Sequence, residues 1–197
     1  MTPDEDLAAR AAVLEEIADE VHQCTLCDLH KGRSRAVPGE GPPDAPVIFI
    51  GEGPGAREDE QGRPFVGPAG AYLNRLLERA GLRREEVFIA NIVKCRPPGN
   101  REPTAQEAEA CRPYLDGQIA CIRPRVICLL GRPATTALLD ASTSMSKAHG
   151  QTFQRDGIVY IPLYHPAAAL HNQRLAPILI EDFQRLGPLL QRLMSEG

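Results

Sequence analysis

The sequence has no tryptophan, no excess of positive charge and no long apolar run, and the last two absences each exclude a class of protein. The 22 Lys and Arg residues are outnumbered by 26 Asp and Glu, so the formal charge of −4 excludes a uniformly basic nucleic-acid binder but allows a local basic patch. No apolar run approaches the roughly 18 residues that a membrane-spanning helix needs, so we expect no membrane partner. The first ten residues are acidic, so we expect no signal peptide and a cytoplasmic protein with reduced thiols.

Short apolar runs alternate with helical patterns along the 197 residues. Strands are predicted at 47–50, 87–93, 126–130 and 158–163, and their continuous apolar character is typical of strands buried on both faces. The alternation predicts a single α/β domain over residues 1–197, a three-layer α/β/α sandwich around a mainly parallel four-stranded sheet.

Capping signals and breakers delimit the predicted helices. Thr2 with Glu5 and Thr104 with Glu107 have the spacing of capping boxes, and the first of these helices leads to a C-x2-C pair. Further helices are predicted at 68–80, at 133–139 and beyond residue 166, the last interrupted by Gly187 and the proline after it. The segments 51–67 and 141–157 have loop composition, the latter with room for a short edge strand.

Four of the six cysteines are spaced as ligands of one metal centre. Cys24 and Cys27 form the C-x2-C pair, while Cys95 and Cys111 lie near the two ends of a Pro-rich loop. The spacing fits a structural zinc as well as a [4Fe–4S] cluster. Cys128 lies inside an apolar strand and, like Cys121, is interpreted as an ordinary thiol.

A glycine-rich segment, Gly51-Glu-Gly-Pro-Gly-Ala56, directly follows the first strand. It formally matches a dinucleotide-binding fingerprint, which must open a helix, whereas residues 56–68 are charged and contain further Gly and Pro. The glycines Gly51 and Gly53 are therefore interpreted as allowing close approach of a flat ligand.

Polar and aromatic residues near three predicted strand ends are candidates for ligand contact. Glu52 and Glu58 flank the glycine loop, and Phe65 serves either as a stacking platform or as a core residue. Asn91 lies near the end of the second strand and His165 follows the last one, where Pro166 stiffens the turn. Because the carboxyl ends of parallel strands share one edge of a sheet, we expect these loops to converge on one site.

Together these motifs resemble the family 4 uracil-DNA glycosylases, the iron–sulfur branch of the uracil-DNA glycosylase superfamily. The resemblance covers roughly residues 14 to 190 and rests on five ordered stretches with the cysteine spacing, namely 51–55 with Glu58, 62–67, 91–98, 100–103 and 165–169. It implies a [4Fe–4S] cluster on Cys24, Cys27, Cys95 and Cys111, and a DNA-repair activity that flips uracil out of DNA and hydrolyses its N-glycosidic bond.

The resemblance also implies roles for the candidate residues. Phe65 would stack on the base, Asn91 would read its N3–H and O4 edge, and Glu58 would exclude the methyl group of thymine. His165 would stabilise the departing uracil anion. A better-known branch carries Asp where this chain has Gly53, so we assign the orientation of water to Glu52 as an inference.

Contacts to DNA are predicted from basic residues around the cysteine loop and from the residues just after the turn at His165. Single- and double-stranded uracil-containing DNA are the expected partners of a monomer, with phosphate contacts from Lys94, Arg96, Arg101 and Arg112 and with Leu170 or His171 as the wedge. A branch that binds uracil covalently carries Gln at the position of Gly53 and a His in a basic loop, which this chain lacks. The alternative from another class is a non-catalytic nucleic-acid-binding module stabilised by zinc or a cluster.

Overall fold

The computed structural model describes residues 2–139 and 144–195, and a five-stranded sheet lies at its centre. The strands, in chain order β1 to β5, are Val47–Gly51, Phe88–Asn91, Val126–Leu130, Phe153–Arg155 and Ile158–Leu163. The sheet order is β2-β1-β3-β5-β4, and all neighbours are parallel except β4 and β5. The prediction of an α/β fold around a mainly parallel sheet is confirmed, and the sheet has one strand more than the four predicted.

The additional strand, β4, is an antiparallel edge strand that a tight hairpin joins to β5. Asp156 and Gly157 between β4 and β5 both have left-handed backbone angles, with φ of 51° and 79°. Two such residues in succession turn the chain in the sense that matches the twist of the two strands. β4 is thus the short edge strand for which the loop-like segment 141–157 has room, and it pairs with β5. Residues 141–143 of that segment lie outside the described residues.

Helices cover both faces of the sheet. Within the described residues the helices α1 to α8 are Pro3–Gln23, Ala56–Gln61, Pro68–Arg79, Ala105–Ile122, Arg132–Leu138, Met145–Ala148, Pro166–His171 and Ala176–Ser195. Phe49 of β1 packs towards α3, α7 and α8, whereas its neighbours Ile48 and Ile50 pack towards α4 and α5. The strands are thus buried on both faces, as their apolar sequences predicted. Among the described residues, no helix is long and apolar enough to cross a membrane.

Both predicted capping boxes are present. Thr2 begins α1 and accepts from the Glu5 backbone N–H at 3.2 Å, while the Glu5 carboxylate accepts from the Thr2 N–H at 2.7 Å. Thr104 and Glu107 exchange the same two hydrogen bonds at the start of α4. Two of the four N–H groups left free at a helix start are satisfied in this way.

Two local predictions are wrong. Residues 56–61 form α2 instead of continuing a loop, and α8 runs through Gly187 and Pro188 without a break. A Cβ at Gly187 would lie 2.5 Å from the Ala80 carbonyl oxygen, so this glycine lets α8 pass close to the end of α3. Gly187 therefore does not break the helix but allows two helices to come into close contact.

Candidate active site

A cavity of about 240 Å³ lies at the carboxyl ends of β1, β2 and β5. It is lined by residues from the three predicted loops, among them Glu52, Gly53, Glu58, Phe65, Asn91, Arg101 and His165. The convergence expected from a parallel sheet is therefore present. Six of the predicted site residues and one predicted DNA-contacting arginine share this single cavity.

Gly51 forms the floor beneath two of these side chains. A Cβ there would lie 2.5 Å from Asn91 Oδ1 and 2.7 Å from Phe65 Cζ, so only glycine allows both to sit so close to β1. The Phe65 ring is stacked near the His165 ring, with centroids 5.6 Å apart and 28° between the planes. Phe65 is buried and lines the cavity, so it belongs to both the core and the site.

Asn91 lines this cavity and carries an unsatisfied buried polar atom. The residue is 2% exposed, and its Oδ1 has no hydrogen-bond partner. A buried acceptor without a partner costs about 1–3 kcal/mol, so such atoms in folded proteins usually meet a ligand or water. A planar ligand with an N–H donor fits this oxygen.

The geometry around His165 fixes both its charge and its tautomer. Burial lowers the pKa of His165 to about 4, with the negative charge of Glu58 opposing the shift, so the imidazole is neutral at pH 7. Its Nδ1 accepts a hydrogen bond from the Ala167 backbone N–H at 3.1 Å. The single ring hydrogen is therefore on Nε2, which leaves that atom as a donor for a ligand.

Glu52 is a half-buried carboxyl group in the same cavity. Burial and the negative charge of Glu102 together raise the pKa of Glu52 to about 7, with burial the larger cause and Arg132 opposing both. Glu102 and Arg132 are themselves paired at 2.8 Å. A carboxyl group that titrates near pH 7 is suited to accept a proton from water.

Glu58 is held by backbone hydrogen bonds. Its Oε1 accepts from the N–H groups of Val66 and Gly67 at 2.9 and 2.7 Å, and Gly67 is the N-cap residue directly before α3. Negative charge at the start of a helix is favourable. Glu58 thus fixes the path of the chain just after Phe65 from within α2, the helix that the sequence did not predict.

The predicted DNA-contacting arginines lie in different places. Arg101 lines the cavity and makes two hydrogen bonds to the Glu107 carboxylate at 2.7 and 2.8 Å. Arg96 is partly exposed on the same loop and donates to Asn100 at 2.8 Å. Arg112 lies instead at a second cavity of about 410 Å³ beside α4 and α5.

The prediction of a phosphate contact is wrong for Lys94. The residue is 1% exposed, and its ammonium group donates to Gln118 Oε1 at 2.7 Å inside the protein. Burial lowers the pKa of Lys94 to about 8. By contrast, Leu170 and His171 are exposed on α7, as a wedge would require.

The four predicted cysteine ligands line one small cavity between α1, the loop after β2 and α4. Three N–H groups point at their sulfur atoms: that of Leu26 at Cys24, that of Lys94 at Cys111 and that of the Arg33 guanidinium at Cys95, at 3.5, 3.3 and 3.2 Å. The two remaining cysteines are elsewhere, Cys121 against the Arg10 carbonyl and Cys128 buried in β3.

The four cysteines of this cavity are the residues that would hold a metal centre. Over residues 2–139 and 144–195, no group of three or more His, Cys, Asp or Glu residues is already arranged to hold a metal ion. A [4Fe–4S] cluster takes its cysteines around a larger body. Burial raises the pKa of Cys95, and that of Cys111 to about 11, so metal binding would have to supply the energy that ionises these thiols.

One residue near the site carries no sequence signal. Arg84 donates to the backbone carbonyls of Pro64 and Phe65 at 2.6 and 3.1 Å. It lies before β2, on a turn that reads as an ordinary charged surface in the sequence. The role of Arg84 depends on its contacts with the loop at residues 64 and 65, which are visible only in the folded structure.

Comparison with known proteins gives a consistent result. The profile of the Uracil DNA glycosylase superfamily matches residues 38–186. The chain is 46% identical over 185 residues to a type-4 uracil-DNA glycosylase of Sulfurisphaera tokodaii, an alignment covering 89% of this chain and 84% of that protein. It is 42% identical over 187 residues to a type-4 uracil-DNA glycosylase of Thermotoga maritima, covering 93% and 97%. Similarity to a type-5 uracil-DNA glycosylase of Thermus thermophilus is 37% over 131 residues and covers 59% of each chain.

Proposed function

This chain belongs to the uracil-DNA glycosylase superfamily, and from that premise we propose how the residues of its site remove uracil from DNA. Its activity is that of a DNA-repair hydrolase, which releases free uracil and leaves an abasic site. Since a base inside a duplex cannot reach a cavity of this kind, the nucleotide must first be flipped out of the stack.

The unpartnered oxygen of Asn91 is the observation that carries the proposal. Uracil presents an N3–H donor next to the O4 acceptor, so the Asn91 amide accepts from the first and donates to the second. Cytosine presents an acceptor and a donor in the opposite order and leaves the buried Oδ1 without a partner. The resulting penalty of about 1–3 kcal/mol works against cytosine.

His165 stabilises the leaving group. As the bond between C1′ and N1 breaks, its electron pair moves onto the base, and negative charge develops on uracil O2. The Nε2–H of a neutral imidazole donates to that oxygen, and the Ala167 N–H keeps the ring in the required tautomer. A donor aimed at developing charge in a closed site is worth several kcal/mol.

Glu52 orients the attacking water. The oxygen of the water bonds to C1′ on the oxocarbenium-like sugar, and the proton passes to the Glu52 carboxylate. The pKa near 7 supports this role because the group is partly ionised at neutral pH and basic enough to accept the proton.

The other cavity residues shape the base site. Phe65 offers the face on which uracil stacks, and Gly51 and Gly53 keep the floor of the site open. Glu58 holds the chain that follows Phe65 and thereby sets the wall against the C5 edge of the base, where thymine carries its methyl group.

Cys24, Cys27, Cys95 and Cys111 would hold the [4Fe–4S] cluster. When bound, the cluster supplies structural cross-linking between the amino-terminal segment and the loop after β2. The N–H groups directed at three of the sulfur atoms support this assignment, since they offset negative charge on thiolates. We take residues 1–197 as one domain in which α1 delivers the first two ligands.

DNA lies across the open side of the active-site cavity in this proposal. Arg96 and Arg101 contact phosphates, Leu170 or His171 fills the gap left by the flipped base, and both single- and double-stranded DNA serve as substrates. We expect the protein to work as a monomer in the cytoplasm, where reduced thiols are maintained.

Incubation with oligonucleotides tests the proposal directly. Single- and double-stranded DNA containing one uracil should give alkali-labile abasic sites, whereas matched strands with thymine or cytosine should stay intact. Asn91→Asp, which replaces the amide donor by an acceptor, should weaken uracil excision and admit some cytosine. Uracil excision by Asn91→Asp at the wild-type rate and selectivity would contradict the role of the amide.

A further inference from the structure

Phe65, the proposed stacking residue, has a backbone conformation that phenylalanine rarely adopts. Its φ is 51°, in the left-handed region that a bulky side chain rarely adopts. Such a conformation persists only when surrounding contacts determine it. The carbonyl groups of residues 64 and 65 make such contacts.

A single guanidinium group binds both carbonyls. Arg84 Nη2 donates to the Pro64 oxygen at 2.6 Å, and Nη1 donates to the Phe65 oxygen at 3.1 Å. The same Nη1 reaches Asn74 Oδ1 on α3 at 3.1 Å. The planar fork of arginine suits this arrangement, because its donors hold fixed directions relative to one another.

The guanidinium is itself anchored from two sides. The Arg84 side chain is only 20% exposed, and it is paired with the Glu40 carboxylate at 3.4 Å. The backbone of Glu40 exchanges hydrogen bonds with Ile89 in β2 at 2.8 and 2.9 Å. Arg84 precedes the same strand, so the clamp is attached to the strand that ends in Asn91.

The other side of the Phe65 carbonyl meets α3. A Cβ at Gly70 would lie 1.8 Å from the Phe65 oxygen, so the carbonyl is pressed against the bare backbone of the helix. Gly70 closes one side of this carbonyl, and Arg84 binds the other. The orientation of the ring above the base site follows from these two constraints.

We infer that Arg84 is a positioning residue for uracil excision, which holds the 64–65 backbone so that the Phe65 ring lies parallel to the flipped base. This inference deepens the proposed function and rests on it. Stacking on an aromatic ring is an orientation-dependent interaction, so a tilted ring loses most of its contact with uracil.

A double-mutant cycle on single-turnover uracil excision tests the inference. Arg84→Gln should slow excision about tenfold, within the range expected for loss of one base–aromatic stack. In a Phe65→Ala background the same substitution should change the rate less than about twofold, since residues that act through one another are not additive. An equal loss in both backgrounds would overturn the inference.

Arg63→Gln is the matched control. Arg63 binds the same Glu40 carboxylate at 2.7 Å but makes none of the described hydrogen bonds to the carbonyls of residues 64 and 65. It should excise uracil at the wild-type rate, and its inhibition by free uracil should be unchanged. Arg84→Gln should instead need about tenfold more free uracil for half inhibition, a change that a general loss of stability does not produce.

Arg84→Lys covers the case in which Arg84→Gln does not fold. It keeps the charge opposite Glu40 but cannot bind two carbonyls and an amide with a fixed fork, so it should show the same coupling to Phe65→Ala. If the wild type itself releases no uracil, the proposed function fails. If the wild type is active and Arg84→Lys or Arg84→Gln behaves like Arg63→Gln, the inference alone fails.

Discussion

Burial shifts the pKa values of Glu52 and His165 in opposite directions. A buried environment disfavours charge, so it raises the pKa of a carboxyl group and lowers that of an imidazole. Glu52 consequently titrates near 7, whereas His165 is already neutral above about pH 4. Of these two groups, Glu52 is the one that changes its charge near neutral pH.

The pH dependence of the excision rate should therefore follow the ionisation of the Glu52 carboxyl group. Its deprotonated form accepts the proton, so the single-turnover rate should rise about tenfold per pH unit below pH 7 and level off above it. Glu52→Gln should lower the plateau by about 10²–10⁴ and remove the inflection near pH 7. Glu102→Gln removes a like charge and should move the inflection to lower pH. An unchanged inflection in Glu52→Gln would assign it to another group.

Loss of the His165 side chain should separate binding from chemistry. His165→Ala removes one donor to a developing anion, so single-turnover excision should fall by about 10²–10³. Affinity for DNA with an uncleavable uracil analogue, measured by fluorescence anisotropy, should change little. If His165→Ala excises uracil at the wild-type rate, the role of His165 is limited to the hydrogen bond that its ring accepts at the start of α7.

At the scale of elements, the contact of α8 with the end of α3 is tightly constrained. Gly187→Ala places a Cβ 2.5 Å from the Ala80 carbonyl oxygen and should destabilise the fold by about 1–3 kcal/mol. Gly117→Ala in α4 meets only the end of the Ile17 side chain at 3.2 Å. It should be neutral or stabilising by up to about 1 kcal/mol, because alanine favours the helix. Urea unfolding of both variants measures the difference.

The sequence predicted the parallel strands and the long helices because their signals are local. Capping boxes and continuous apolar runs depend on neighbours in the chain, and the confirmed elements β1, β3, α1 and α4 have them. α2 escaped prediction because its six residues are bounded by glycines at 55 and 62. Its stability comes from Glu58 and Asp59, whose carboxylates bind backbone N–H groups outside the helix.

The site was predictable wherever its residues follow strands. Parallel topology brings the carboxyl ends together, so Glu52, Asn91 and His165 could be grouped before the fold was known. Lys94 and Arg84 could not be assigned in this way. Whether a cation faces solvent, another side chain or a carbonyl depends on packing between distant segments, and no local spacing encodes it.

At the scale of the whole molecule, the proposed cluster joins segments that the chain keeps far apart. Cys24 and Cys27 precede the region matched by the superfamily profile, whereas Cys95 and Cys111 lie inside it.

Cys95→Ala should lose iron and visible absorbance and should melt at a lower temperature, since metal binding contributes to folding. Cys128→Ala is the control: it should keep the iron and lose about 1 kcal/mol of packing. Equal iron loss in both variants would contradict the ligand assignment, and a colourless zinc protein would contradict the cluster.

The net charge of −4 makes DNA binding depend on a few arginines. Arg96→Gln should weaken duplex binding and reduce the slope of log affinity against log salt by about 1. Arg185→Gln is a suitable control, because Arg185 lies on α8, outside the cavity lining, and is paired with Glu181. Titrations at several salt concentrations distinguish the two. An unchanged slope for Arg96→Gln would place the phosphate contact elsewhere.

The two edges of the sheet bear on how copies of this chain behave when concentrated. An exposed, flat edge strand can template the addition of another chain. The outer side of β2 is already paired at Ile89 by the Glu40 backbone, and β4 is a strand of three residues with exposed Gln154 and Arg155. Neither edge presents a long row of free backbone groups among the described residues. Aggregation of the native protein by strand addition is thereby disfavoured, and we expect it to require prior unfolding.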